Sequence, residues 1–385
     1  MKLPTSLLDY HLPEELIATS PAEPRDASRL LVVSRSDEHM FHAATFRDLP
    51  TFLHADDLLV FNSTRVLPAR LTGLRSDTGG RVEGLFLAEP EQGTWSVLLT
   101  SGGRLRAGTV VKLIGPNGET SGVTLELLRR GEDRGSWLAR VGGADGLGVP
   151  STEILSKLGT TPLPPYIRQA RKRLGRDIPD LRDRAWYQTV YVTDRGSSPG
   201  GIPGSVAAPT AGLHFTPSLL TQLDAMGLCR AEVVLHVGLG TFKPVETEFV
   251  EDHPMHGEWA CVPRETILAL SERKGREKAS GGRVIAVGTT SVRAIESLPE
   301  PLPTGPGAAD IEFETRLLIT PGFRFRLTDG LLTNFHLPRS TLMAMVSALL
   351  GDSTRGVERL KSIYARAISE GFRFYSYGDA MLILP

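Results

Sequence analysis

Between Leu71 and Val149 the chain reads as short β-type runs separated by glycine pairs, at Gly79-Gly80, Gly102-Gly103 and Gly142-Gly143. Runs such as Trp95-Ser-Val-Leu-Leu-Thr and Gly108-Thr-Val-Val-Lys-Leu-Ile carry almost no helical period. Turn signals at such intervals predict a small antiparallel barrel or sandwich. The segments on either side alternate helix and strand, which implies an α/β domain. The expected fold is therefore a large, barrel-like α/β domain from residues 1–70 and 150–385, with an inserted antiparallel β-barrel at 71–149. The insert holds nine basic and nine acidic residues over 72–150, so it has no electrostatic footprint of its own.

The flanking elements are legible individually. Leu30-Leu-Val-Val-Ser and Asp57-Leu-Leu-Val-Phe-Asn62 read as strands, with a short helix near Phe46–Leu53 between them. Thr216-Pro217 pairs an N-cap with a proline at the first helical position, opening a helix to Met226 that closes at Gly227. Strands follow at Ala231–Val237, Glu258–Val262, Arg283–Val287 and Ala380–Leu384, with helices at Arg264–Lys278, after Gly288, near Ser340–Leu350 and near Val357–Ser369. The proline-rich stretch Pro299–Gly307 reads as a linker or lid edge.

At 385 residues, 41% hydrophobic and 23% charged, the composition is that of a soluble globular protein of two domains. Cys229 and Cys261 are the only cysteines and lack metal or redox spacing, which fits a reducing compartment. Met1-Lys-Leu-Pro-Thr shows no signal-peptide pattern, and no apolar run approaches the ~20 residues that span a bilayer. The expectation is a cytoplasmic monomer without a membrane partner.

Chemistry-bearing residues gather in loops. Ser205-Val-Ala-Ala-Pro-Thr-Ala-Gly-Leu-His-Phe-Thr216 places Pro209, Thr210, Gly212 and His214 on one turn before a helix. Leu235-His-Val-Gly-Leu-Gly-Thr-Phe-Lys-Pro-Val245 ends a strand in His236, Gly238 and Gly240. Such loops suggest a pocket of backbone amides, hydroxyls and imidazoles, where small residues admit a ligand closely. Val284–Glu296 is strand, Gly/Thr loop and helix. Its free amides with Thr289, Thr290 and Ser291 make an anion site for a carboxylate or phosphate, and Arg293, one turn on, is a further candidate substrate contact. Thr333-Asn-Phe-His-Leu-Pro-Arg-Ser-Thr341 puts Asn334, His336 and Arg339 at a helix mouth, and Asn62-Ser-Thr-Arg65 ends a strand in the same style. His214, His236 and His336 are the candidate acid–base groups; the other residues named in these loops are candidate substrate contacts.

Two further patterns compete for function. Arg168, Arg171, Lys172, Arg173 and Arg176 fall close together beside Pro164-Pro-Tyr-Ile and ahead of Trp186-Tyr-Gln-Thr-Val-Tyr191. Basic and aromatic residues together form RNA-binding surfaces, so the first four are candidate RNA phosphate contacts. His253-Pro-Met-His256 with Glu258 invites a metal-dependent hydrolase, but Pro254 forbids the helical His-Glu-x-x-His arrangement and no cysteine cluster supports it. No metal or cofactor is expected. Gly238-Leu-Gly240 lacks a third glycine and a following helix, so a Rossmann dinucleotide loop fails.

Long blocks in order carry a family resemblance: Asp9-Tyr-His-Leu-Pro-Glu-Glu-Leu-Ile-Ala18, Arg25-Asp-Ala-Ser-Arg-Leu-Leu31, Phe61-Asn-Ser-Thr-Arg-Val-Leu-Pro-Ala-Arg70, Tyr187-Gln-Thr-Val-Tyr191 and Phe372-Arg-Phe-Tyr-Ser-Tyr-Gly-Asp-Ala-Met381. With these the chain resembles the S-adenosylmethionine:tRNA ribosyltransferase-isomerases of queuosine biosynthesis. It departs at Trp186 and Thr320, and least resembles them in the β-rich insert. The resemblance implies transfer of the ribosyl part of S-adenosylmethionine, a co-substrate, to 7-aminomethyl-7-deazaguanine at the tRNA wobble position. Adenine and methionine leave, and an epoxycyclopentanediol is formed. The sulfonium acidifies the adjacent C5′ hydrogens, so a neutral imidazole could begin the reaction; among the histidines His214, in the most constrained loop, is favoured. A non-catalytic RNA-binding module is the remaining alternative.

Overall fold

The computed structural model describes residues 2–37, 40–132, 135–193, 195, 204–238, 244–275 and 282–385. Six consecutive strands, β4 (Arg70–Arg75), β5 (Arg81–Glu91), β6 (Thr94–Ser101), β7 (Val110–Ile114), β8 (Thr120–Arg130) and β9 (Ser136–Gly142), close into an antiparallel barrel in the order β4-β5-β6-β9-β8-β7. Alternate residues point inward, so β6 buries Trp95, Val97 and Leu99 while Ser96 and Leu98 are only half-buried. The indole N–H of Trp95 donates to Ser151 Oγ at 2.6 Å, which satisfies the one polar atom the ring carries inward.

The remaining strands form one nine-stranded mixed sheet. Its members are β1 (Arg29–Ser34), β2 (Phe41–Thr45), β3 (Leu58–Asn62), β10 (Cys229–Leu235), β11 (Glu258–Val262), β12 (Val284–Val287), β13 (Ile311–Thr315), β14 (Gly330–Asn334) and β15 (Ala380–Leu384). Their order is β13-β11-β10-β3-β12-β14-β15-β1-β2, so the pairing starts at β13 and ends at β2. Strands from before and after the barrel thus share one sheet. The α/β class with an antiparallel barrel is what the texture predicted.

Within the sheet, β10, β3, β12 and β14 run parallel to one another. Parallel strands need both faces covered. On one face Leu31, Val33, Ala286, Leu331 and Ile383 pack against α7 (Thr341–Leu350) and α8 (Ser353–Ser369). The alternating residues Leu30, Val32, Phe61, Val287 and Leu382 face the other way, onto Phe46, Phe215 and α4 (Pro217–Ala225). This explains why β3, β12 and β14 are buried along their whole length.

Three short helices join the barrel back to the sheet: α1 (Ser151–Leu158), α2 (Pro165–Arg173) and α3 (Asp180–Trp186). α5 (Arg264–Gly275) and α6 (Thr289–Glu296) flank β10 and β12. Among the described residues no helix is long and apolar enough to cross a membrane.

Candidate functional site

In an open parallel sheet the carboxyl ends of the strands, where the connections diverge to opposite sides, form the usual ligand crevice. Here β3, lying between β10 and β12, marks such a place. Three of the loops singled out in the sequence follow the carboxyl ends of β10, β12 and β14, and they converge. One cleft is lined by Val237 after β10, Gly288, Thr289 and Thr290 after β12, and Thr333–Leu337 at the end of β14. The Ala208–Ala211 turn, Tyr166, Tyr375 and Ser376 complete it.

The start of α6 faces this cleft. Gly288 is its N-cap with φ of 90°, a conformation that disfavours a Cβ, and no side chain caps the helix. The first amides of the helix therefore have no intrahelical acceptor. Thr290 Oγ1 is buried without a partner, whereas Ser291 Oγ donates back to the Val287 carbonyl at 2.8 Å. Thr290 is available to a ligand and Ser291 is not.

His336 is buried and lines the cleft. Its backbone is pinned from both sides: Tyr10 OH donates to its carbonyl at 2.5 Å, and its N–H donates to Tyr364 OH at 2.9 Å. Its Nε2 meets Thr333 Oγ1 at 2.8 Å, and Nδ1 has no partner among the described residues. His214 sits differently. It stacks on Phe46 at 4.9 Å between ring centroids, Nδ1 meets Ser28 Oγ at 2.8 Å, and Nε2 meets Asn334 Nδ2 at 3.1 Å. Because Asn334 Nδ2 also donates to the Tyr375 carbonyl at 3.2 Å, that atom is the nitrogen, and His214 Nε2 accepts. Both His214 nitrogens are thus committed. Asn334 Oδ1, on the cleft wall, is left buried and unpaired.

Burial lowers both imidazoles to a pKa of about 3, with the nearby Arg373 and Arg25 guanidiniums adding to the effect at His214. The folded values lie below the ordinary ~6.5, so this contribution to stability is complete above pH 6.5 and is lost as pH falls toward 3. We expect roughly 2–3 kcal/mol lost per pH unit for the pair below about pH 5.5. Urea midpoints compared at pH 7 and pH 5 check this; equal midpoints would mean that the rings charge inside the fold.

The other expected residues divide. Asn62 is fully buried and clamps β3 to β10: its Nδ2 donates to the Leu235 carbonyl at 3.0 Å, and Oδ1 accepts from Leu235 N at 3.1 Å and Thr64 N at 3.2 Å. It supports the crevice and does not line it. Arg65 lies in a separate cleft of about 990 Å³ with Arg184, Tyr187 and Gln188. Gly212 is required by packing, since a Cβ there would collide with the Tyr191 hydroxyl. Thr210 lines the main cleft. His236 stacks on Trp259 at 4.7 Å, and Gly238 N–H donates to Glu258 at 2.9 Å. Arg339 is exposed, with φ of 54°. Gly240 lies outside the described residues.

Arg293 is buried one turn into α6 and ion-pairs with Glu258. His253, His256, Glu258 and Arg293 line a second cavity beside the cleft. With Glu258 committed to Arg293 and the Gly238 amide, no group of three His, Cys, Asp or Glu side chains suited to a metal forms among the described residues.

The basic strip is less free than its composition suggested. Arg171 is buried and bidentate to Asp183 at 2.6 and 2.7 Å, with Nε donating to the Thr19 carbonyl. Arg168 pairs with Glu83 of the barrel at 3.2 Å and Arg173 with Glu14, both at exposed sites. Lys172 is exposed and without a partner among the described residues.

Sequence reasoning did not single out Tyr166, Tyr375, Ser376 or Thr333 as cleft residues. Tyr166 OH meets Ser376 Oγ at 2.5 Å and its ring packs on Tyr375 at 4.7 Å. Tyr375 adopts φ of 72°, a strained conformation for a bulky residue and a mark of positions the surroundings over-determine. Their available signal was the aromatic content of the Pro164-Pro-Tyr-Ile and Phe372–Met381 blocks.

The family model described as queuosine biosynthesis protein matches residues 5–383. The chain is 45% identical to the S-adenosylmethionine:tRNA ribosyltransferase-isomerase of Gloeobacter violaceus, covering 99% of this chain and 96% of that protein. It is 46% identical to the protein of that name from Synechococcus elongatus, covering 98% and 95%. The crystal structure of S-adenosylmethionine tRNA ribosyltransferase from Thermotoga maritima is similar at 33% identity and a TM-score of 0.50, covering 98% of this chain and 100% of that one.

Proposed function

The chain belongs to the queuosine biosynthesis family, and from that premise we propose that it is an S-adenosylmethionine:tRNA ribosyltransferase-isomerase. It moves the ribosyl part of S-adenosylmethionine onto 7-aminomethyl-7-deazaguanine in the tRNA wobble position, with release of adenine and methionine. Neither the metal-dependent hydrolase nor the non-catalytic RNA module finds support in the relatives or in the side chains that line the cavities.

The observation that carries the site assignment is the convergence of three strand-end loops on a cleft where His336 keeps a ring nitrogen unpaired and Asn334 and Thr290 keep buried oxygens unpaired. We assign the base to His336 in place of His214, whose lone pair is taken by Asn334. In the tautomer in which Nε2–H donates to Thr333 Oγ1, the one this role requires, the lone pair of His336 lies on Nδ1. Burial keeps the ring neutral and also makes it a weak base. The sulfonium compensates by acidifying the C5′ hydrogens. A buried imidazolium is in turn unstable, which favours passing its proton on to the departing adenine. Asn334 Oδ1 is suited to a hydroxyl or amine donor of the substrate, and Thr290 with the α6 amides to an electronegative group. The barrel, residues 71–149, is proposed to be an inserted domain outside this chemistry.

The test is adenine release from S-adenosylmethionine by the wild-type protein. It should require tRNA carrying the aminomethyl-deazaguanine base; equal release with unmodified tRNA would sink the proposal.

A further inference from the structure

The guanidinium of Arg293 poses a problem that the cleft does not solve. The residue is only 4% exposed. Its Nε donates to the Leu317 carbonyl at 3.1 Å and Nη1 pairs with Glu258, yet Nη2 is buried with no partner among the described residues. A buried charged group that lacks one of its hydrogen bonds is costly, and in a native structure it calls for an explanation. Arg293 lines the second cavity, whose other walls include Glu258, His253, His256 and the apolar side chains of Leu317, Leu318, Leu342 and Met345.

We propose that this cavity holds the methionyl end of S-adenosylmethionine, with Arg293 Nη2 receiving the α-carboxylate; the assignment rests on the ribosyl-transfer reading. Arg293 keeps Nη2 for a carboxylate, while Glu258, already held by Arg293 Nη1 and the Gly238 amide, has only its remaining lone pairs to offer the adjacent ammonium. The apolar walls match the two methylenes and the sulfur between that end and the ribose. Leu342 lines both the cavity and the His336 cleft, so the two adjoin, and one extended ligand would run past that side chain. The carboxylate then lies on Arg293, one helical turn beyond the Gly288–Ser291 amides where the sequence had suggested it.

Two neutral thioethers isolate the contact. S-adenosylhomocysteine and 5′-methylthioadenosine share nucleoside and sulfur, and only the first carries the amino-acid end. Calorimetric titration of the wild type should show S-adenosylhomocysteine binding about 10–100-fold tighter, the range for a charge-assisted contact. Arg293→Lys keeps a charge for Glu258 but loses the fork, and should remove most of that preference while leaving methylthioadenosine unchanged. Leu318→Trp fills the cavity from a half-buried position with the ion pair intact, and should do the same even if Arg293→Lys fails to fold. Wild-type binding of S-adenosylhomocysteine no tighter than methylthioadenosine, or an undiminished preference in Leu318→Trp, overturns the subsite. Failure of the ribosyl-transfer reading registers separately, as a normal preference without adenine release on modified tRNA.

Discussion

His336→Gln is expected to fold, to bind S-adenosylmethionine and to lose about 10²–10⁴-fold in turnover, the range for lost general-base catalysis. Glutamine can keep a contact with Thr333 Oγ1, and the Tyr10 and Tyr364 hydroxyls hold the backbone whatever the side chain. What it lacks is a nitrogen lone pair able to take a proton. The contrast with His214→Gln separates the two histidines. His214 holds Asn334 and stacks on Phe46, so its loss should shift stability and substrate affinity together. Single-turnover rates and equilibrium affinities on both variants check this. Near-normal turnover in His336→Gln with a large loss confined to kcat in His214→Gln would return the base to His214.

Arg171→Ala is expected to cost about 3–5 kcal/mol of stability, because it leaves Asp183 buried without its partner. The bidentate pair joins α2 to α3, and the Thr19 carbonyl loses its donor at the same time. Lys172→Ala should leave stability within about 0.5 kcal/mol. If Lys172 meets a tRNA phosphate, its removal lowers the salt slope of tRNA binding by roughly 1. Urea unfolding and salt-dependent tRNA titrations on the two variants separate these effects. An Arg171→Ala protein of wild-type stability with a reduced salt slope would restore the phosphate role to Arg171.

Local pattern carried the fold a long way. The barrel follows from alternation broken by glycine pairs, and β11 and β15 occur at the residues predicted. The strand ending at Val287 and the helix after Gly288 are also where their signals lie. β14 was not singled out, because a five-residue run buried on both faces has no alternation to detect. The edge strands β2 and β13 were also missed: each is only five residues long and half-buried, and their antiparallel partners make them strands.

The site was legible as loops but not as an arrangement. Asn62, His214 and Arg171 have the residue types of active groups, and the structure commits each of them to backbone or buried partners. That distinction is tertiary. The Ser28 and Asn334 contacts that occupy the His214 ring come from positions 186 and 120 residues away in the chain. Tyr166 and Tyr375 reach the cleft from equally remote segments, and the strained backbone at Tyr375 has no counterpart in residue type.

The most direct test of the account follows the atoms of S-adenosylmethionine through one turnover. Wild-type protein is given tRNA bearing the aminomethyl-deazaguanine base, with the co-substrate labelled either in the ribose carbons or in the methyl group. The account predicts ribose label in the tRNA, methyl label in free methionine, and one adenine released for each ribosyl transferred, with none of these on unmodified tRNA. Methyl label in the tRNA, or adenine released without ribose label entering it, would contradict the account.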